Sequence, residues 1–305
     1  MREHYPRVSL GILCGLFGKT RQAWHKKQKT IYRSAAAEHI IVDMVCDIRC
    51  EMPRIGGRKL CKMLADNSID IGRDALFDIL RRNNLLVRRR RNRIRTTQSQ
   101  HWLRKYRNLI KVLKVDSPNQ LWVSDITYIK TIDEVLYLFL ITDAYSKKII
   151  GYCLADTLEA KNAMRALKMA LKQKPATTEN LIHHSDRGVQ YCSQGYVKIL
   201  KKAEIRISMT EDGDPLDNSI AERVNGILKD EWLYEMDELD ATTAGSYIPQ
   251  IINIYNNKRP HLSIDLLTPS EAHRMQGTLR KRWKNYPKKD KFVINSEDVI
   301  KELST

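Results

Sequence analysis

A chain of 305 residues is long enough for about two domains with a true hydrophobic core, and it needs no disulfide framework to fold. With 29% charged and 42% hydrophobic residues, and only 13 Gly and 9 Pro, it is neither disordered, fibrous nor of low complexity. The net charge of +17 points to a polyanionic partner, but that charge is unevenly spread. Residues 1–118 carry 27 Lys and Arg against 10 Asp and Glu, residues 119–273 carry 17 against 22, and residues 274–291 carry 8 basic side chains and only Asp290. An acidic centre between basic flanks suits a protein that holds divalent cations beside a polyanion.

Val8, Leu10, Ile12, Leu13, Leu16 and Phe17 recur at helical spacing; Gly18 interrupts them, and Thr20 can cap a second short helix through Ala23 and Trp24. Three more helices are predicted over 39–50, ended before Pro53, over 57–64 and over 73–81, with Asp70 and Gly72 in the intervening turn. Ile41, Met44, Val45, Ile48, Leu60, Met63, Leu64, Leu76, Ile79 and Leu80 supply their apolar faces. This periodicity fits a helix-turn-helix bundle and, equally, a helical bundle that never touches DNA. The next segment favours the first. Arg88, Arg89, Arg90, Arg91, Arg93 and Arg95 crowd into eight residues, a charge density that phosphates would neutralise and that guanidinium forks would grip bidentately.

From residue 119 the periodicity changes to extended runs over 121–129, 135–142 and 148–155, followed by a helix over 159–173. A short apolar run over 180–184 ends at Asp186, a helix follows over 194–203, a strand over 204–209, a polar loop over 210–218 and a helix from 219 towards 234. The order βββαβαβα implies a layered α/β domain with its central strands covered on both faces.

The six cysteines form no CxxC pair, which speaks for reduced thiols and a cytoplasmic protein. A zinc cluster of His25, His39, Cys46 and Cys50 is disfavoured by the spacing and the surrounding apolar periodicity. The longest apolar run, residues 135–141, is far short of a membrane span. Residues 8–18 imitate a signal-peptide core, but Lys19, Thr20, Arg21 and Gln22 follow in place of a small-residue cleavage site.

Three carboxylates stand at structural boundaries. Asp125 lies inside an apolar strand, where an ionised group is costly without a cation or hydrogen bonds to compensate it; Asp186 lies where a buried strand stops; Glu222 would project from a helix. Two Mg2+ ions bridged by one carboxylate and held further by others would activate the attacking oxygen and stabilise the leaving one in a displacement at phosphorus. A blander reading stays open: residues 219–222 also fit a capping box, Asp186 could cap a turn, and the 35-residue gap between Asp186 and Glu222 arises readily by chance.

The local sequence around the acids decides between them. Trp122-x-x-Asp125-Ile126-Thr127-Tyr128, His184-Ser185-Asp186-Arg187-Gly188-x-Gln190-Tyr191 and Asp217-Asn218-x-x-x-Glu222 resemble, in order and spacing, the three acid motifs of the integrase-core (DDE) transposases of bacterial insertion sequences, relatives of retroviral integrases. Lys229, seven residues after Glu222 and so on the same helical face, matches the family's basic DNA-contacting position. Tyr255-Asn256-Asn257-Lys258-Arg259-Pro260-His261 and Thr268-Pro269-Ser270-Glu271-Ala272 are similar to its C-terminal signature; the latter also reads as an N-cap, a first-turn proline and a capping box that pin the last helix. The N-terminal part resembles the helix-turn-helix segments of insertion-sequence proteins translated as a second reading frame. Departures are Ile55-Gly56-Gly57-Arg58, which replaces a more aromatic turn, and Thr210-Glu211-Asp212, which adds acid to the loop before Asp217.

The resemblance implies an α/β fold, a ribonuclease-H-like integrase catalytic core preceded by an all-α helix-turn-helix region. Its expected divisions are a short helix-turn-helix segment over 1–29, a helix-turn-helix DNA-binding domain with the arginine-rich linker over 30–95, a linker helix over 96–118, the core over 119–273 and a basic tail over 274–305. It further implies a transposase that cuts element ends and joins them to target DNA with two Mg2+ ions, Mn2+ being able to substitute. Asp125 would bridge the metals, while Asp186 and Glu222 would hold one each. Expected partners are double-stranded DNA, both element ends and target, further copies of the chain on that DNA, and an upstream reading-frame product; the setting is the cytoplasm, at the nucleoid. A hydrolytic nuclease of the same core and a DNA-binding regulator with an inert core are the competing readings.

Overall fold

The computed structural model describes residues 7–88, 102–176, 178–211, 218–236 and 238–282, with the side chains of 28 and 30–34 excepted. Helix α1 (Leu10–Leu16) starts at Ser9, whose hydroxyl accepts from Ile12 N, and stops at Gly18, where φ is +62°. Thr20 caps the next helix as the sequence predicts, accepting from Ala23 N. That helix, α2 (Arg21–Glu51), does not end after one turn. It absorbs the expected second short helix and the helix over 39–50 into one rod, so the division expected at 29/30 falls inside it. The reason is local: residues 25–38 contain neither Gly nor Pro and include Ala35, Ala36 and Ala37, so nothing stops propagation even though the apolar stripe fades there. Helices α3 (Gly57–Asp66) and α4 (Arg73–Arg82) then pack against α2 through Ile41, Val45, Leu60, Leu64, Leu76 and Leu80, all buried.

Residues 102–118 hold a second correction, because the described part of the expected linker helix is not helical. Leu109, Ile110 and Leu113 pack on the apolar side chains of Leu121 and Val123. Side chains take the place of a helical ladder for its amides: Asn108 N donates to Glu211 Oε1 and Leu109 N to Ser208 Oγ, both at 2.9 Å.

The sheet follows the expected order. Strands β1 (Leu121–Lys130), β2 (Val135–Asp143) and β3 (Ile149–Ala155) form an antiparallel meander, α5 (Ala160–Gln173) crosses over, and β4 (Ile182–Ser185) pairs in parallel with β1. A short turn of helix, α6 (Val189–Cys192), and α7 (Gln194–Lys202) lead to β5 (Arg206–Met209), giving the order β3-β2-β1-β4-β5. Alternation along β2 sends Leu136, Leu138 and Leu140 to one face and Phe139 and Ile141 to the other, so both faces are covered. Gly151 allows α5 to sit directly on β3, since a Cβ there would lie 2.3 Å from Ala166 O. This mixed sheet with helices on both sides is the ribonuclease-H-like core that the resemblance implies.

Helix α8 (Ser219–Glu231) then packs across β1 and β2. Helix α9 (Ala241–Asn257), absent from the sequence-based element order, buries Ile248, Ile251, Ile252 and Tyr255 against the same side. The final helix, α10 (Pro269–Ala272), carries the expected capping box between Thr268 and Glu271 and the expected Pro at its start. The chain stays attached beyond residue 273: Gly277 N donates to Asp116 O (2.8 Å) and Arg282 N to Leu262 O (2.9 Å). Among the described residues no helix is long and apolar enough to cross a membrane.

Candidate active site

β1 and β4 run parallel, with Trp122 opposite His183 and Val123 opposite His184. Carried two residues further, that register sets Asp125 level with Asp186, the first residue beyond β4. Adjacent strands lie about 4.8 Å apart, so strand pairing alone makes neighbours of two acids 61 positions apart in the chain. They meet at the carboxyl end of β4, where open α/β sheets gather ligands.

The third acid arrives on α8, and two asparagines fix that helix to β1. Asn218, the residue before the helix, donates from Nδ2 to Ser124 O (3.1 Å), and Asn225 donates from Nδ2 to Asp125 Oδ2 (2.7 Å). Glu222 lies four residues after the first and three before the second, on the same helical face. Lys229 continues that stripe one turn further. Its ammonium is pushed down by burial, against which the charges of Asp125 and Asp230 work.

Electrostatics report the same convergence. Burial first, with the negative charges of Asp186 and Glu222, raises the Asp125 carboxyl to about 7 against the opposing hydrogen bonds from Asn225 and from Ile126 N (2.9 Å). Asp186 accepts from Gly188 N at 3.0 Å, an approach that a Cβ at 188 would crowd. Tyr191 is buried within reach of both charges, its hydroxyl held well above its ordinary value by burial first and by Asp186 next.

Beneath the acids, a buried polar layer braces the two strands. Ser124 Oγ and Tyr196 Oη both share His183 Nε2, at 2.7 and 2.9 Å, linking β1, β4 and α7. Burial holds His183 down at about 3, so it stays neutral. His184 Nδ1 shares Ser208 Oγ at 2.8 Å and thereby ties β4 to β5. His184 and Asn218 stood within the quoted motifs, and Asn225 lies at helical spacing from Glu222, but Ser124, His183, Tyr196 and Ser208 do not stand out in the sequence, because each depends on neighbours that only the fold supplies.

The blander reading of Glu222 is not realised. The residue before α8 is Asn218 and no side chain caps the helix, so residues 219–222 form no capping box. For Asp186 the turn bond to Gly188 N does form, which occupies one oxygen. Arg88 is exposed at the end of the helical region, its carbonyl accepting from Arg54 Nη2. Arg89, Arg90, Arg91, Arg93 and Arg95 lie outside the described residues. Among the described residues no three His, Cys, Asp or Glu side chains are drawn tightly enough to enclose a metal ion, and the six cysteines are unpaired. The side chains of Asp125, Asp186 and Glu222 nonetheless offer carboxylate oxygens, and the buried Oδ1 atoms of Asn218 and Asn225 have no hydrogen-bond partner among the described residues. Such a set suits a hard cation such as Mg2+ rather than zinc.

The integrase core domain family matches residues 115–215, and a second integrase core domain family matches 203–269. The uncharacterized 31 kDa protein of insertion element IS600 from Shigella sonnei is 33% identical over 264 residues, 85% of this chain and 96% of that protein. The chain belongs to the integrase-core transposases of bacterial insertion sequences. A second member of that family, the transposase InsF for insertion sequence IS3A of Escherichia coli (strain K12), is 28% identical over 77% of this chain and 83% of its own length. Among solved structures, the HTLV-2 integrase catalytic core domain in complex with magnesium is 20% identical, with a TM-score of 0.42 over 55% of this chain and 99% of that one. As an integrase-core transposase, the chain is a polynucleotidyl transferase; Asp125 and Asp186 fall in the first matched segment and Glu222 in the second.

Proposed function

We propose that this transposase cuts the ends of its insertion sequence and joins them to target DNA in reactions that require Mg2+, with Asp125, Asp186 and Glu222 as the catalytic acids and metal ligands. The observation that supports the reading best is that burial, reinforced by the repulsion of two acids from distant segments, leaves the Asp125 carboxyl at about 7 on a strand interior. A protein that merely folded would gain by removing that repulsion. Asp125 would bridge two ions, and Asp186 and Glu222 would each hold one, with Mn2+ able to substitute. When bound, the ions supply an activated attacking oxygen and a stabilised leaving oxygen at phosphorus.

The rest of the work falls to the chain. Asn225 orients Asp125, and Asn218 ties the start of α8 to β1 so that Glu222 faces the strand. Lys229, on the same face, contacts the DNA backbone beside the reacting phosphate. The helical region reads the element ends, and Arg88, Arg89, Arg90, Arg91, Arg93 and Arg95 track phosphates, contributing affinity that salt screens. Pairing two ends requires more than one copy of the chain, assembled on double-stranded DNA in the cytoplasm, at the nucleoid.

The test is an assay that scores cutting and joining separately: labelled element-end duplex, intact or pre-cut, with a plasmid target, in Mg2+, Mn2+ or EDTA. Joined products in either metal and none in EDTA bear the reading out. Cutting without joining of pre-cut ends would make the protein a hydrolytic nuclease. Binding with neither activity would leave a regulator with an inert core, or a protein that requires the upstream reading-frame product, and adding that product separates these two.

A further inference from the structure

Helix α8 ends, about 13 Å along its axis from Glu222, in a second charge cluster built on Glu231. That carboxylate, with 12% of its side chain exposed, is divided between two cations from opposite ends of the chain. Arg259, 1% exposed, grips it with a fork, Nε donating to Oε2 (2.8 Å) and Nη2 to Oε1 (2.6 Å). Lys59 of α3, 11% exposed, donates from Nζ to the same Oε1 at 2.9 Å. Arg259 also lies over the Tyr255 ring at 5.7 Å, which anchors it to α9.

Around this node the helical region is joined to the core. Trp232 Nε1 donates to Glu51 O at the end of α2 (2.7 Å), and Arg54 Nη1 donates to Glu235 Oε1 (3.1 Å). The same Arg54 guanidinium donates from Nη2 to the carbonyl of Arg88, where the arginine run begins. Apolar residues of α2, α3 and α4 belong to one contiguous cluster with those of α8 and α9. An apolar contact alone would hold two regions together; burying two cations on one anion costs desolvation and returns a defined geometry instead. The fork of Arg259 engages both oxygens and fixes the plane of the carboxylate, and Lys59 shares Oε1 with it.

Helix α3 therefore touches the end of the helix that bears Glu222, while the neighbouring α4 exposes Arg73, Arg81 and Arg82. We propose that Lys59 and Glu231 are positioning residues: end DNA seated on the helical region sets the angle of α8, and with it Glu222 and Lys229, through the Lys59–Glu231–Arg259 contact. This rests on the transposase reading above. It makes the distance between the recognised sequence and the cut phosphate a property of the joint.

Lys59→Met tests the joint without dismantling it, because Glu231 keeps its bidentate partner Arg259. In the full-length protein, the variant should melt within a few degrees of the parent and bind labelled end duplex within about 2-fold. Its cutting at the correct phosphate should fall about 10- to 100-fold, with cuts scattered to neighbouring phosphates, and Lys59→Arg should restore the position. Hydrogen exchange supplies a readout independent of catalysis: end duplex should protect residues 219–231 in the parent and in inactive Asp125→Ala, and not in Lys59→Met. Unchanged cut position with unchanged α8 protection in Lys59→Met overturns the proposal. So does a parallel loss of binding and cutting, which would mark Lys59 as merely structural. If the parent itself neither cuts nor joins, the transposase reading fails, while the exchange measurement still judges the joint.

Discussion

Two partly buried carboxylates, Asp125 beside α8 and Glu231 at its end, differ in the company they keep. At one end Asp125 meets Asp186 and Glu222, and burial with like charge drives it up to about 7. At the other, burial also pushes Glu231 up, but the charges and hydrogen bonds of Arg259 and Lys59 outweigh it and hold the carboxyl down at about 2. The cost at that end falls on Lys59: burial first and Arg259 next bring its ammonium down to about 8. Burial alone thus does not mark a functional acid. A carboxylate that the protein leaves short of positive charge is poised for a cation from outside, whereas one already neutralised is a joint.

The comparison breaks if the two ends respond alike to losing charge. Arg259→Met strands Glu231 with Lys59 alone and should cost about 3 to 5 kcal/mol in urea unfolding; a change near zero would mean that the node is solvated and holds nothing. Asn225→Ala at the other end should leave the fold intact and DNA binding within about 2-fold, but slow single-turnover cutting about 10- to 100-fold, because Asp125 loses the bond that orients it. An equal loss of binding would reassign Asn225 to DNA contact.

Smaller effects sharpen the contrast. With its carboxyl raised from 3.8 to about 7, folded Asp125 keeps a proton that the unfolded chain has released between those values. Stability in EDTA should therefore fall as pH rises from about 4 to about 7, and Asp125→Asn should remove that fall and melt a few degrees higher at pH 8. Mg2+ should raise the parent's melting temperature more at pH 8 than at pH 5, and a parent curve matched by Asp125→Asn would assign the fall to another group. Least of all, Lys229→Ala should weaken end binding modestly and lower the salt slope by about 1, as the loss of one phosphate contact requires.

How much of this was legible in the sequence depended on range. Strands β1, β2 and β3 and the capped starts at Thr20 and Thr268 followed from neighbours a few residues apart. The elements of the three acids, strand, strand end and helix, were equally readable. The continuity of α2 was missed because its apolar stripe fades over 25–38, although no residue there breaks a helix. Helix α9 was missed for the opposite reason: Thr242, Thr243, Gly245 and Pro249 read as loop chemistry, and the apolar face of Ile248, Ile251 and Ile252 overrides them. The linker helix over 96–118 was expected from the resemblance, but over 102–118 the chain is not helical, and the amides of Leu109 and Asn108 are satisfied by Ser208 and Glu211, 99 and 103 positions away. The Lys59–Glu231 pair spans 172 positions and has no local signature at all. Arg259 stood in plain view within a motif, but its partner did not.

The most direct measurement is joining of pre-cut element-end DNA to a plasmid in Mg2+ by Asp125→Ala, Asp186→Ala and Glu222→Ala, each first shown to be folded and to bind end duplex as the parent does. All three should fall by more than about 1,000-fold, to the level of the parent in EDTA. A single one of them that retained the parent's joining rate would contradict a site made of these three acids.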